Sequence, residues 1–351
     1  MTGDACKRTH GVRPILDPDR VAGCVAGVAI GDAMGMPVEF MTRQEIRAIY
    51  GRLDRFVAPR PDHIHAGMGA ARITDDTEQT LAIIDALDEH GTITPEIAAG
   101  AYLKWADECD AFSSSVLGPS SRRALERLQA GEDPRTTGSS GDTVGAAMRV
   151  APIGIVNAGD LESAAQECVM SCLPTHGVSI AIGGACAVAC AVAAAVVAGS
   201  VDEIISAALF GAEYGESRGV KWAGATVAAR IRLALRIVEE SGGETEALDG
   251  LYSIVGVGML PTELVATAIG IVRLHQADCC KATISAVNMG GDADTLASIV
   301  AAITGGFSGI GRFPAEWTTA VERVNRLDFQ RLADVLVAVR ERRPQHDGCG
   351  C

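Results

Sequence analysis

Aromatic residues are scarce in this 351-residue chain, with seven Phe, four Tyr and three Trp making up about 4%. That scarcity, beside abundant Ala, removes the β-branched and aromatic signal of strands and excludes a sandwich or barrel. Basic residues are also outnumbered, 30 Lys and Arg against 44 Asp and Glu, for a net charge of −14. An extended nucleic-acid surface needs clustered Lys and Arg to release phosphate counterions, so that partner is excluded. No charge run, low-complexity linker or repeat of 20–50 residues divides the chain. Met1–Arg20 has no apolar stretch of the kind that opens a secreted protein, and it carries Asp4, Lys7, Arg8, Arg13, Asp17, Asp19 and Arg20. Cysteine is plentiful, but the count of eleven is odd, so reduced thiols in a cytoplasmic setting are expected.

Hydrophobic residues reach 48% and mean hydropathy is +0.21, enough for a large core. Their period is helical almost throughout. Helices are predicted over 20–30, 74–89, 95–108, 119–130, 161–171, 178–198, 201–214, 222–240, 262–275, 278–288, 294–304, 314–324 and 329–341, with a Gly-rich turn at Gly31–Pro37 and a stop at His90-Gly91. The fold class expected is all-α: one compact multi-helix domain over 20–343, an N-terminal appendage over 1–19 and a tail over 344–351. Gly177–Val201 has no charge and is long enough to span a bilayer, which takes about 20 residues. Its composition is mostly Ala, which gains little from lipid, so it reads as a buried central helix and no membrane is expected. Cys168, Cys172, Cys186 and Cys190 form two i,i+4 pairs that could imitate a zinc site, but in Ala-rich helices they read as core. No function attaches to Cys349 or Cys351.

Three acidic clusters carry the chemistry, each expected at a junction of loop and helix: Gly31–Phe40 with Asp32 and Glu39, Thr74-Asp75-Asp76-Thr77, and Gly290-Gly291-Asp292-Ala293-Asp294-Thr295. Capping accounts for one acid per helix. Adjacent or alternate carboxylates repel unless a cation lies between them. Asp75, Asp76, Asp292, Asp294 and Glu39, with Thr74 and Thr295, offer only oxygen, which suits Mg²⁺ or Mn²⁺ and disfavours zinc. Two such ions bring +4 against −5. The calcium loop of an EF-hand is not matched, because Thr295-Leu296-Ala297 supplies neither the next ligand nor a Gly.

These segments, with Gly145-Ala146-Ala147-Met148-Arg149-Val150-Ala151-Pro152-Ile153-Gly154 and Thr175-His176-Gly177, resemble the ADP-ribosylglycohydrolase family in order from about Val21 to Asn325. The resemblance implies an all-α hydrolase with two Mg²⁺ or Mn²⁺ ions that cleaves ADP-ribose from an acceptor, a protein side chain or a related conjugate. It implies metal ligation by Thr74, Asp75 and Asp76 on one side and Asp292, Asp294 and Thr295 on the other, with Asp32 orienting the site. Asp75 and Glu39 are the expected catalytic carboxylates, one taking a proton from the attacking water or assisting the leaving group. Substrate contacts are expected from Gly118 and Ser120 at a helix start, from Ser140, Gly141, Asp142 and Thr143 ahead of Gly145, and from His176. His63 and His65 read as solvated positions at the entrance, and Arg149 as a tie between helices. One departure is Val144, where many relatives carry a small polar residue; Asp142 and Thr143 could substitute.

Two other classes match the sequence less well. An isoprenoid-type lyase needs an Asp-Asp-x-x-Asp motif and an aromatic pocket; Asp75-Asp76-Thr77-Glu78-Gln79 and 14 aromatics supply neither. A catalytically silent ADP-ribose binder would not need every metal-motif residue, and all of them are present.

Overall fold

The computed structural model describes residues 14–113 and 117–344. Cys349, Cys351 and most of the N-terminal segment lie outside them. Among the described residues the regular elements are helical, as the patterning predicts, apart from one isolated bridge between Val178 and Val220. The first half holds α1 (Pro18–Gly35), α2 (Arg43–Tyr50), α3 (Asp75–His90), α4 (Pro95–Glu108), α5 (Pro119–Gln129), α6 (Ala151–Val156), α7 (Leu161–Cys172) and α8 (Ser179–Ala195). The second holds α9 (Val201–Glu216), α10 (Val227–Glu240), α11 (Glu244–Gly250), α12 (Pro261–Leu274), α13 (Cys279–Val287), α14 (Ala293–Ser308), α15 (Ala315–Asn325) and α16 (Phe329–Arg342).

The uncharged Ala-rich stretch is a core helix, as expected: all 17 residues of α8 are buried, against α9, α7, α6 and α12. Cys168, Cys172, Cys186 and Cys190 are buried there too, with the Cys186 and Cys190 thiols donating to the Ala165 and Leu161 carbonyls at 3.5 Å. The one described helix that is long and apolar enough to cross a membrane is instead Pro18–Val38, and its apolar window is wholly buried inside the protein.

That helix corrects the predicted turn at Gly31–Pro37. α1 continues through Asp32 to Gly35, followed by a short 3-10 turn at Met36–Val38. Gly23, Gly27, Gly31 and Gly35 recur every fourth residue and so share one face. α14 lies antiparallel on this face: a Cβ on Gly27 would stand 2.1 Å from the Ala301 carbonyl oxygen, and one on Gly31 2.2 Å from that of Ala297. Each interior Gly costs a helix about 0.5–1 kcal/mol, which the close packing offsets. The result places the C-terminal end of α1 against the N-terminus of α14.

Other boundaries moved for local reasons. α10 begins at Val227 rather than 222, where the Thr226 hydroxyl caps the Ala229 amide. α2, α6 and α11 were not foreseen; for α2 a signal exists, because Thr42 and Glu45 close a reciprocal capping box.

Gly27→Ala should lower unfolding free energy by about 1–3 kcal/mol through overpacking. Gly100→Ala, at an exposed position of α4 with nothing within 4 Å of the new Cβ, should raise it by about 0.5–1 kcal/mol. Urea denaturation of both variants checks the pair, and equal effects at the two positions would contradict the close-contact account.

Candidate active site

The α1–α14 contact gathers the acids. Asp292 is the N-cap residue of α14, and Asp294 and Thr295 lie in its first turn; Thr74 caps α3, whose first turn carries Asp75 and Asp76. Both groups therefore sit where helix dipoles favour negative charge. Gly290 and Gly291 hold φ of 69° and 64°, and a Cβ on Gly290 would stand 2.2 Å from the Met41 carbonyl oxygen. Gly291 exchanges backbone hydrogen bonds with the segment after Glu39, donating to Met41 and accepting from Phe40. This turn brings the start of α14 to Glu39, whose carboxylate lies within 4.8 Å of that of Asp294.

Asp32 occupies the last turns of α1, not a loop-to-helix junction, and is fully buried. Its carboxylate accepts from the Thr74 amide at 3.0 Å and hydroxyl at 2.9 Å, and from the amide and hydroxyl of Thr77. Asp32 thus orients α3, in agreement with its expected role. The Thr74 hydroxyl, having donated to Asp32, keeps a lone pair for another partner. Asp75 Oδ2 accepts from Gln79 Nε2 at 3.0 Å. Asp76 is buried and its Oδ1 has no hydrogen-bond partner. An orphaned buried carboxylate oxygen is costly, and a cation is the kind of partner that would satisfy it.

Histidine enters the site against expectation. His65 Nε2 lies 2.5 Å from Glu39 Oε2, and the two side chains are only 11% and 12% exposed. His63 Nε2 approaches the Glu39 carbonyl oxygen at 2.9 Å. The donor atoms of Glu39, His65 and Asp294 all lie within 4.8 Å of one another. His63 and His65 are therefore site walls rather than solvated loop positions. No local pattern marks this approach, since residues 66–73 separate His65 from the acidic motif and Glu39 lies in an earlier segment.

Crowding of buried carboxyls governs the electrostatics. Burial first, then Asp294, Asp292 and Asp75, push Glu39 up to about 11, while burial and His63 push His65 down to about 4, so their short contact joins two neutral groups. Burial raises Asp292 to about 6, with hydrogen bonds from Asp294 and Thr295 opposing. Burial and Asp294 raise Asp32 to about 7, against the lowering pull of Thr77 and Thr74. Asp75, Asp76 and Asp294 are held well above the ordinary carboxylate range, by burial first, then by Asp294 and Asp32 at the first two and by Asp292 at the third. The oxygen-rich donor set, the orphaned Asp76 oxygen and this mutual repulsion all fit divalent cations.

The expected substrate residues form a second cluster. Gly118 caps α5, and Ser120 in its first turn is buried with an unpartnered hydroxyl. Ser140 is exposed, Gly141 is packed so tightly that a Cβ would stand 2.0 Å from the Thr175 carbonyl oxygen, and Asp142 and Thr143 are half-buried. Val144 is buried, its amide bonded to the Met259 carbonyl at 2.9 Å, so no polar contact exists there. His176 is only 1% exposed and stands behind Thr143, with Nε2 3.1 Å from the Thr143 hydroxyl. Arg149 ties the elements as expected: it bonds Gln79 of α3 and Thr175, and its guanidinium lies 3.8 Å from the centre of the Tyr102 ring of α4.

Matches to known proteins span nearly the whole chain. The family model described as ADP-ribosylglycohydrolase matches residues 13–346. A protein of uncharacterised function from Escherichia coli (strain K12), YegU, is 34% identical over 331 residues, covering 93% of this chain and 99% of its own. The ADP-ribosyl-[dinitrogen reductase] glycohydrolase of Rhodospirillum rubrum is 26% identical over 329 residues, covering 92% of this chain and 96% of its own. A solved structure of an ADP-ribosylglycohydrolase-related protein complex shares the fold, with a TM-score of 0.68, 24% identity and coverage of 92% of this chain and 98% of that one.

The raised carboxyls give a signed pH dependence. Asp292 and Asp32 rise from an ordinary 3.8 to about 6 and about 7, so above about pH 4 the unfolded chain sheds protons that the folded chain keeps. Stability of chelator-treated protein should therefore fall as pH rises from about 4 through 7, and Mn²⁺ should restore more of it at about pH 8 than at about pH 5. Denaturant midpoints across that range check it; a metal-free stability that climbs with pH would refute it.

Proposed function

The chain belongs to the ADP-ribosylglycohydrolase family, a family of hydrolases of ADP-ribose conjugates, and on that premise we propose that it cleaves the glycosidic bond between ADP-ribose and an acceptor. The acceptor would be a modified protein side chain, as the name of the R. rubrum relative describes for that enzyme, or a related conjugate. The observation that carries the proposal is the oxygen cage of buried Asp76, Asp292 and Asp294, with Thr74 and Thr295 and half-buried Asp75, beside a cluster of substrate-loop residues joined to it through Gln79 and Arg149.

In this reading Thr74, Asp75 and Asp76 would hold two Mg²⁺ or Mn²⁺ ions from the α3 side, and Asp292, Asp294 and Thr295 from the α14 side. Bound there, the ions would supply Lewis acidity to water and to ribose hydroxyls. The bond from C1″ to the acceptor atom breaks with the electron pair leaving on the acceptor, and water oxygen bonds to C1″. Asp75 and Glu39 handle the protons: one carboxylate takes the proton of the attacking water, and the acceptor leaves protonated. Glu39 suits proton storage, since its Oε2 shares a hydrogen with His65 Nε2. The N-terminus of α5 at Gly118 and Ser120, and the loop carrying Ser140 to Thr143, would receive the diphosphate and distal ribose. His176 acts through Thr143. Free ADP-ribose is the product, 20–343 is the catalytic unit, and the free thiols of the described cysteines suit a cytoplasmic setting.

Asp75→Asn and Asp292→Asn should each reduce release of ADP-ribose from a panel of ADP-ribosylated acceptors by at least about 100-fold, with far-UV circular dichroism unchanged. Chelator should do the same to the unaltered enzyme. Undiminished turnover in both variants would sink the proposal, and ADP-ribose binding without hydrolysis of any conjugate would favour a silent binder.

A further inference from the structure

One buried chain of hydrogen bonds connects the acidic cage to the substrate loop, and arginine chemistry dictates its direction. Arg149 is only 1% exposed and Gln79 is fully buried, so their polar atoms depend on protein partners; the two terminal guanidinium nitrogens of Arg149 have them, while its Nε has none. Arginine has donors and no acceptor. Because an Arg149 guanidinium nitrogen bonds Gln79 Oε1, the amide is fixed with its oxygen toward Arg149, and Nε2 donates to Asp75 Oδ2. That leaves the other oxygen of Asp75 for a cation.

The second arm runs the other way. Arg149 donates to the Thr175 hydroxyl oxygen at 2.5 Å, so the Thr175 hydrogen must go elsewhere, and His176 Nδ1 lies 2.8 Å away. An imidazole that accepts at Nδ1 carries its hydrogen on Nε2 while it is neutral. Burial, with Arg149 and Arg123 nearby, holds His176 well below its ordinary range and keeps it neutral. His176 Nε2 then donates to the Thr143 hydroxyl oxygen at 3.1 Å. Gly145 permits the ring to sit there, since a Cβ would stand 3.0 Å from Nε2. Having accepted one hydrogen bond, half-buried Thr143 retains its own hydrogen for an incoming oxygen.

We propose that Arg149 is a positioning residue that polarises this chain in both directions, fixing Asp75 as an acceptor for the metal centre and Thr143 as a donor to an oxygen of ADP-ribose. The proposal rests on the reading of Asp75 as a ligand, and its tests read binding and hydrogen position rather than turnover. Nitrogen-15 NMR of the unaltered protein should find His176 as the neutral Nε2–H tautomer; a hydrogen on Nδ1 would overturn the chain whatever the variants do. By calorimetry, Gln79→Met should weaken Mn²⁺ binding about tenfold and leave ADP-ribose affinity at saturating Mn²⁺ unchanged. Thr143→Val should weaken ADP-ribose about tenfold and leave Mn²⁺ unchanged. Arg149→Lys, which keeps the charge and loses the two-armed fork, should weaken both, and an effect on neither would overturn the proposal. Unaltered protein that binds no Mn²⁺ would instead overturn the metal-centre reading, which separates the two failures.

Discussion

Gly23, Gly27, Gly31 and Gly35 give α1 a face of bare backbone, and α14 lies directly against it. Everything that makes the site possible follows from how near that lets the two helices come. The pairing is antiparallel, so the end of α1 that carries Asp32 and leads to Glu39 meets the start of α14, with Asp292 and Asp294. A side chain on that face would hold the helices apart by the thickness of a methyl group or more, and the carboxyls would no longer share one small volume. Asp32 transmits the same constraint to α3, because the hydrogen bonds it accepts from four donors on Thr74 and Thr77 seat that acidic segment on the α1 backbone. One helix–helix contact thus fixes three separated stretches of chain.

The gathering is unfavourable in itself. Desolvating an unpaired carboxylate costs several kcal/mol after relaxation, and like charges a few ångströms apart add to it. Helix N-termini recover part of that at α3 and α14, but only part, each being worth about 0.3–1 kcal/mol per charge, up to about 2 where partly buried. Without cations the protein responds by holding protons, which is what the raised Glu39, Asp75, Asp76 and Asp294 express. Stability lost here is offset by an Ala-rich core in which α8 is buried on every side. A large inert core is what lets a small site remain strained.

The helical class and the three acidic segments were readable because a 3.6-residue period and paired carboxylates leave local marks. What escaped was whatever depended on tertiary contact. Gly31 and Gly35 look like a turn in isolation, and only α14 makes them helical. His65 looks like loop surface because nothing local shows that Glu39, 26 residues earlier, stands 2.5 Å away. His176 was singled out for the substrate, yet burial places it behind Thr143, a distinction that spacing along a chain does not encode. Short helices such as α2 were missed for a different reason, since eight residues contain too few turns to establish a period.

Net charge of −14 and a doubly charged substrate are compatible once charge is considered locally. The cage accounts for several of the negative charges, and two divalent ions would bring the cage close to neutral. Beyond a Debye length of about 8 Å at physiological salt the remaining acids are largely screened. On the proposed function a single diphosphate would meet helix N-termini and cations, whereas a polyanion would also have to cross the acidic exterior. Arg149 strengthens the local field without offering itself to phosphate: it is buried beneath Tyr102 and committed to Gln79 and Thr175. A buried guanidinium that touches no ligand can still orient groups at both ends of a hydrogen-bond chain, because its own hydrogen bonds run in only one direction.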